Sequence, residues 1–301
     1  MNLRSIRSLL PALAVCFAAA GASCGKAAAS TDADTITATT DTTMTQDSIP
    51  ADTNSVTVKV ETSVGSFTVL LYGDTPRHRD NFVKLVNEGF YDGTLFHRVI
   101  NQFMVQAGDP DSRNAAPGQR LGSGGPGYTV EAEIDFPRHF HKRYALAAAR
   151  QGDQVNPERR SSGSQFYIVT GRKLIPTQLE QLKTQLHNQQ LQATFNGLAA
   201  EHMQQIRDMQ AARDSVGLKR LQEQLVAQTE AEVAAHPLSV TPEMQQAYTT
   251  VGGAPHLDGA YTVFGEVIAG TDVVDRIEQA QTDGADRPTD DIRIISMSVV
   301  R

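Results

Sequence analysis

The densest chemistry in the sequence lies in the run Phe96-His97-Arg98-Val99-Ile100-Asn101-Gln102-Phe103-Met104-Val105-Gln106-Ala107-Gly108-Asp109. Arg98 supplies a guanidinium that stays protonated and donates through a planar fork. Phe103 and Met104 are apolar, and Gln106 offers an amide. Taken alone, such an arginine reads as a structural ion-pair partner and Phe103-Met104 as plain core. Two other spacings hint at chemistry. Gly122, Gly124 and Gly127 spell G-x-G-x-x-G, which cradles a dinucleotide only between a strand and a helix. Here Pro126 and the alternating stretch from Tyr128 to Ile134 follow, so nucleotide binding is set aside. His139 and His141 could share one strand face as metal ligands. Neither a cysteine nor a third histidine stands near them, and they read as surface histidines.

The elements around this run follow from periodicity. Val56-Thr57-Val58-Lys59-Val60-Glu61-Thr62 and Ser66-Phe67-Thr68-Val69-Leu70-Leu71 alternate apolar and polar residues around Gly65, the pattern of a β-hairpin. Thr75 is expected to cap a helix with Pro76 at its first position, where a missing N–H costs nothing. Phe82, Leu85 and Val86 form its apolar face and Gly89 its stop. Residues 93–99 and 102–106 read as further strands. Many short strands with few helices suggest a closed antiparallel barrel.

The chain has 301 residues, 40% of them apolar, a net charge of −7 and two cysteines. That is enough apolar residue for a core, too little cysteine for a disulfide framework, and the wrong charge for a nucleic-acid protein. Arg4 and Arg7 precede an apolar run from Leu9 to Ala20, too short to span a bilayer and of signal-peptide length. Gly21-Ala22-Ser23-Cys24 then resembles a bacterial lipobox, with Gly21 where an apolar residue is preferred. Residues 1–23 are therefore expected to be a signal peptide and Cys24 the lipidated first residue, which moves the net charge from −7 to −9. Gly25 after the cysteine favours the outer membrane. Residues 24–55 read as a disordered tether: from Ser30 to Ser55, 17 of 26 residues are Thr, Ser or Asp. Within it Asp34-Thr35-Ile36, Asp41-Thr42-Thr43 and Asp47-Ser48-Ile49 resemble a bacterial O-glycosylation site.

The 96–109 run resembles the signature of the cyclophilin family of peptidyl-prolyl isomerases. Four further segments resemble family motifs in the same order: Gly122 to Tyr128 the glycine-rich loop, Tyr144 to Arg150 the peptide-binding segment, Ser161 to Tyr167 a core strand, and His256 to Gly265 the last pocket segment. The resemblance implies a mainly β fold over residues 56–301, a closed eight-stranded antiparallel barrel with two capping helices. Residues 172–251, with 14 Gln, interrupt it. Helical spacing from Thr177 to about Met209, a second helix from Leu218 to Val233 stopped by His236-Pro237, and a short third one after Thr241-Pro242 predict an inserted helical hairpin projecting beside the site.

The implied activity is cis-trans isomerisation of X–Pro bonds in exported proteins that are unfolded or folding. Double-bond character opposes that rotation by about 18–20 kcal/mol. The twisted transition state gives the prolyl nitrogen a lone pair, and Arg98 is the candidate that donates to it, an interaction with little to bind in the planar ground state. Phe103, Met104, Tyr167, Leu257 and Tyr261 would line an apolar cup for the proline, with His256 beside Leu257. Gln106 and Gln165 would hold peptide carbonyl or amide groups. The backbone near Ala149 and Arg150 would pair with the substrate main chain, Gly122 would leave room for the residues before proline, and His97 would sit behind the site. His256 stands where the family often has Trp, which predicts weak cyclosporin binding; Tyr167 stands for Phe, Arg150 for Asn, Ala107 for Gly and Tyr261 for His. No cofactor or metal is needed by the chemistry. The expected partners are proline-containing exported polypeptides and a lipid membrane held through acylated Cys24, without nucleic acid, and the expected place is the cell envelope. The rival readings are a non-catalytic proline-peptide-binding module and a chaperone adaptor built on the insertion.

Overall fold

The computed structural model describes residues 54–300. Cys24, the signal segment and the tether up to residue 53 lie outside the described residues. Among the described residues, ten strands and six α-helices follow one another. Strands β1 (Val56–Thr62) and β2 (Gly65–Leu71) form the expected hairpin, with Val58 facing Val69 and Val60 facing Phe67. Helix α1 (Pro76–Asn87) buries Phe82, Leu85 and Val86 as its periodicity requires.

Its N-terminus differs from expectation. Thr75 makes no side-chain cap bond to the helix and its hydroxyl turns back to Tyr72 O. Glu133, 55 residues away from His78, caps instead: its carboxylate accepts the backbone N–H groups of Arg77 (3.0 Å) and His78 (2.9 Å) and the His78 ring (2.6 Å). An anion at free helix N–H groups is favourable for both hydrogen bonding and the macrodipole. Burial alone would raise the Glu133 carboxyl; the bonds from His78 and the two backbone groups outweigh it and hold it below the usual range.

The remaining strands are β3 (Arg98–Ile100), β4 (Met104–Ala107), β5 (Thr129–Val130), β6 (Ala145–Ala148), β7 (Ser161–Ser162), β8 (Phe166–Val169), β9 (Val263–Ala269) and β10 (Ile294–Val300). Eight of them form one antiparallel sheet in the order β10-β1-β2-β9-β6-β8-β4-β3, and β5 pairs with β7 apart from it. Strand pairing therefore runs as an open, curled sheet and not as the expected closed ladder. The strand expected over 93–99 is reduced to β3 because Gly93 takes φ +81 and Thr94 hydroxyl bonds to Tyr91 O, which turns the chain out of the extended form. Between the two edges, Leu95 bridges Arg293 and Phe96 N donates to Ile292 O (2.9 Å).

The core inside the sheet includes Val58, Phe67, Val69, Val99, Val105, Leu146, Phe166 and Ile168, covered on one side by α1 and on another by α6 (Thr271–Glu278), whose Val273, Val274 and Ile277 are buried. Phe82 of α1 meets the edge of Phe166 at 5.4 Å.

The three helices expected between β8 and β9 are present, the first of them broken in two, which makes four. Helix α2 (Pro176–Glu201) is interrupted at His202 and continues as α3 (Met203–Ala211); α4 (Ser215–Ala235) returns, and α5 (Pro242–Thr250) re-enters the sheet region. Asp214 caps α4 by accepting from Gly217 N, and Thr241 caps α5 by accepting from Met244 N, as its sequence position predicts. Ile206, Leu221 and Leu225 make a small core far along the helices, while Leu182, Leu186, Met244 and Tyr248 pack on Phe140 at their base. Among the described residues no helix is long and apolar enough to cross a membrane.

Candidate active site

Strand register builds the site. Arg98 faces Gln106 across β3 and β4, Gln106 faces Tyr167 across β4 and β8, and Tyr167 faces Ala147 across β8 and β6. Because side chains alternate faces, this row lies opposite the core row of Val99, Val105, Ile168 and Leu146. Met104 stands two residues from Gln106 and joins the same outer face. The small Ala145 and Ala147 keep the centre low, and Phe103, Leu257 and Tyr261 pack around Met104 and Tyr167 as walls. The result is a cleft of about 520 Å³ lined by Arg98, Phe103, Met104, Gln106, Gly122, Ala149, Arg150, Tyr167, Leu257 and Tyr261, together with His97. Residues from five separate motifs therefore converge.

The cation is held loosely. Arg98 Nε lies 3.7 Å from Asp286 Oδ2, both side chains being partly exposed, and the backbone of Asp286 accepts the N–H of Val99 (2.7 Å). Three further arginines line the cleft, Arg120, Arg150 and Arg287, and of these the Arg150 side chain is buried and committed. It donates to Ala260 O (2.7 Å) and Gln151 O (2.9 Å), pairs with Asp153 (2.6 Å) and lies 4.5 Å over the ring of Tyr261. Its side chain thus braces one wall of the cup and is not available as a second donor.

Four expectations need correction. Gln165 lines an adjoining groove with Gln106, Gly122, Ala149 and Arg150, and its amide is occupied: Oε1 accepts from Gln106 (3.0 Å) and Nε2 donates to Gly124 O (2.8 Å), so it orients Gln106. Ala149 lines the cleft, but its N–H donates to Gln165 O and its carbonyl accepts from Ser162 N, which leaves the Arg150 backbone to face a ligand. His256 lies in an adjoining groove with Asn101, Gln178 and Leu182, its ring tilted against Phe103 at 5.1 Å. Burial and the neighbouring His141 push its pKa down. His97 is not behind the site: it lines the cleft, almost fully buried, and among the described residues neither ring nitrogen has a hydrogen-bond partner. Burial, against the pull of the Asp109 charge, lowers its pKa and keeps the ring neutral.

The two histidines read as a surface pair also part company. His139 stacks on Tyr72 at 4.4 Å and bonds to Asp74 (2.9 Å). Asp74, Asp135 and His139 lie close enough to share a cation, yet Arg138 already sits between the two acids at 3.1 and 3.6 Å. His141 is 1% exposed and belongs to a buried network with Asp258 and Tyr167.

One residue of the signature run had no assigned role. Asp109 is fully buried, and its carboxylate accepts the backbone N–H groups of Gly122 (2.5 Å), Gly124 (3.3 Å) and Asp111 (2.9 Å). It holds the glycine-rich loop against the cleft, and a Cβ at Gly124 would collide with it.

Comparison with known proteins decides the family. The model of the cyclophilin type peptidyl-prolyl cis-trans isomerases matches residues 57–215 and 235–299. The chain belongs to the cyclophilin-type isomerase family. A protein of Staphylococcus saprophyticus named as a peptidyl-prolyl cis-trans isomerase is 28% identical over 250 residues, 82% of this chain and 93% of that one. Peptidyl-prolyl cis-trans isomerase B of Bacillus subtilis is 45% identical over 89 residues, 30% of this chain and 52% of that one. A longer Streptococcus pyogenes protein, named as a bifunctional phosphatase and peptidyl-prolyl isomerase, is 29% identical over 80% of this chain, which spans 38% of its length. Among solved structures, a Cryptosporidium parvum cyclophilin aligns with a TM-score of 0.47 and 19% identity over 82% of this chain and 98% of its own. The cyclophilin match is interrupted at 216–234, inside α4, and includes the rest of the helical segment between β8 and β9. This cyclophilin is a peptidyl-prolyl cis-trans isomerase.

Proposed function

We propose that the cleft turns X–Pro bonds with Arg98 as the catalytic donor and Phe103, Met104, Tyr167, Leu257 and Tyr261 as the proline cup. The observation that carries this reading is that the half-exposed guanidinium of Arg98, on the signature strand, lines the same cleft as the apolar Phe103, Met104 and Leu257 and the rings of Tyr167 and Tyr261. The floor takes the ring, and the charge meets the nitrogen lone pair that rotation creates. A charged hydrogen bond of about 1.5–3 kcal/mol made only in the transition state gives roughly ten- to a hundredfold. The rest of the acceleration comes from holding the rotated peptide, with Gln106 and the Arg150 backbone as the polar contacts and the Gly122 loop as the wall for residues before proline. The contacts between the 93–96 and 292–294 segments support closure of the sheet into a barrel beneath this site.

The substrates we assign are exported polypeptides, and the place is the cell envelope, with the domain anchored by a lipid on Cys24. Support comes from the basic and apolar start, the small residues before Cys24 and the Thr/Asp-rich tether. Isomerisation of an Ala-Pro tetrapeptide by wild type and Arg98→Ala tests the chemistry. Turnover that falls on substitution is expected; equal turnover in both would remove Arg98 from its role. Metabolic labelling with a fatty-acid analogue tests the anchor, and a label retained by Cys24→Ser would remove it.

A further inference from the structure

The inserted helices reach the cleft from within the protein. Tyr248 on α5 is 0% exposed, and its hydroxyl donates to Asp258 Oδ2 at 2.5 Å. The other carboxylate oxygen accepts the His141 backbone N–H (2.8 Å) and the ring Nδ1 (2.9 Å). His141 Nε2 in turn lies 2.9 Å from the hydroxyl of Tyr167, the floor of the cup. A carboxylate only accepts, so Nδ1 carries a proton, and Nε2 and the Tyr167 hydroxyl share the next hydrogen bond. Burial raises the pKa of both phenols and keeps them protonated.

The consequence is geometric. The Tyr167 hydroxyl is bound to His141, and the ring is held nearly parallel to His141 and at 85° to Tyr261. The cup therefore keeps an apolar surface although its floor carries a hydroxyl. The chain around the network is equally fixed. Ala254 N donates to His141 O (2.8 Å) and Leu174 N to Tyr248 O (2.8 Å), tying both ends of the insertion to this point. Gly253 has no room for a Cβ, which would enter the Tyr248 ring and the His141 carbonyl.

We infer that Tyr248, Asp258 and His141 are positioning residues for Tyr167, so that the last helix of the insertion sets the shape of the prolyl cup. The inference rests on reading the cleft as the proline site. It is tested by a double-mutant cycle on the full chain: kcat/KM for an Ala-Pro tetrapeptide with wild type, Tyr248→Phe, Tyr167→Phe and both together. Tyr248→Phe should lower kcat/KM by about three- to tenfold, a coupling of ordinary size for residues in one network, chiefly through KM. In the Tyr167→Phe background, with no hydroxyl left to hold, the same change should have less than about a twofold effect. Equal factors in both backgrounds, or no effect in either, overturn the inference, because a merely structural tyrosine would act alike in both. If Tyr248→Phe does not fold, His141→Gln takes its place in the cycle. Absence of turnover in the wild type sinks the reading of the cleft as an enzyme; the same ratio measured on the Kd of the tetrapeptide then decides the positioning.

Discussion

The two sides of the cleft are built on opposite principles. On one side Arg98 is partly exposed, and Asp286 Oδ2 stands 3.7 Å from its Nε. On the other, Tyr167 ends a buried chain of hydrogen bonds of 2.5–2.9 Å that runs through His141 and Asp258 to Tyr248. A charge that must meet a transient lone pair has to stay solvated and available, since desolvating it without a partner would be costly. A floor that must fit one ring in one orientation gains from being over-determined. Activity is thus separable from stability on the Arg98 side and inseparable from it on the Tyr167 side.

The strongest way to break that contrast is Asp258→Ala. It leaves the Tyr248 hydroxyl and two His141 N–H groups buried without an acceptor, and the expected loss is about 3 kcal/mol or more of unfolding free energy by urea titration. A variant as stable as wild type would show that the floor is not held by this network. Arg98→Ala should do the reverse. kcat/KM falls about ten- to a hundredfold while stability stays within about 0.5 kcal/mol, because a half-exposed arginine with one long contact adds little to the fold. A comparable loss of stability would erase the distinction between the two sides. Asp286→Asn sharpens it further. An exposed ion pair of this length contributes little, so kcat/KM should change by less than about threefold; a larger drop would make Asp286 essential for aiming the guanidinium.

The smallest effect is one of pH. The folded-state pKa of His97 lies below its ordinary value. On acidification through the ordinary histidine range the unfolded chain therefore binds more protons than the folded one, and stability falls as pH drops. His97→Gln removes that contribution, and its Tm should decline less between pH 7.5 and 5.5 than that of the wild type. Parallel declines would place His97 outside the acid response. Glu133 acts lower on the scale: its depressed carboxyl stabilises the fold above the unfolded carboxylate pKa, and that stability is lost as pH falls through the folded value.

Much of the cleft was legible in sequence. Arg98, Phe103, Met104, Gln106, Tyr167, Leu257 and Tyr261 come together as their motifs imply, because strand alternation carries a local pattern directly into a face. The errors share a cause. Gln165, Ala149 and His141 sit in segments that look like site or surface, but each has hydrogen-bonding groups taken by partners distant in the chain: Gly124, Ser162 and Asp258. Thr75 lost its cap role to Glu133 for the same reason. A buried polar group has to be satisfied by something, and one-dimensional spacing does not say by what.

By itself the sequence determined the hairpin, α1, the helical content between β8 and β9, the cyclophilin motifs and Arg98 as the one candidate cation of the signature run. These depend on propensity, periodicity and short spacings, which are local properties of the chain. Only the tertiary structure decided that the first helix after β8 breaks at His202, that the last helix before β9 closes on Asp258, and that Arg98 and Arg150 differ so completely in freedom. Those outcomes depend on which distant groups meet when the sheet curls, and on the cost of leaving any of them buried and unpaired.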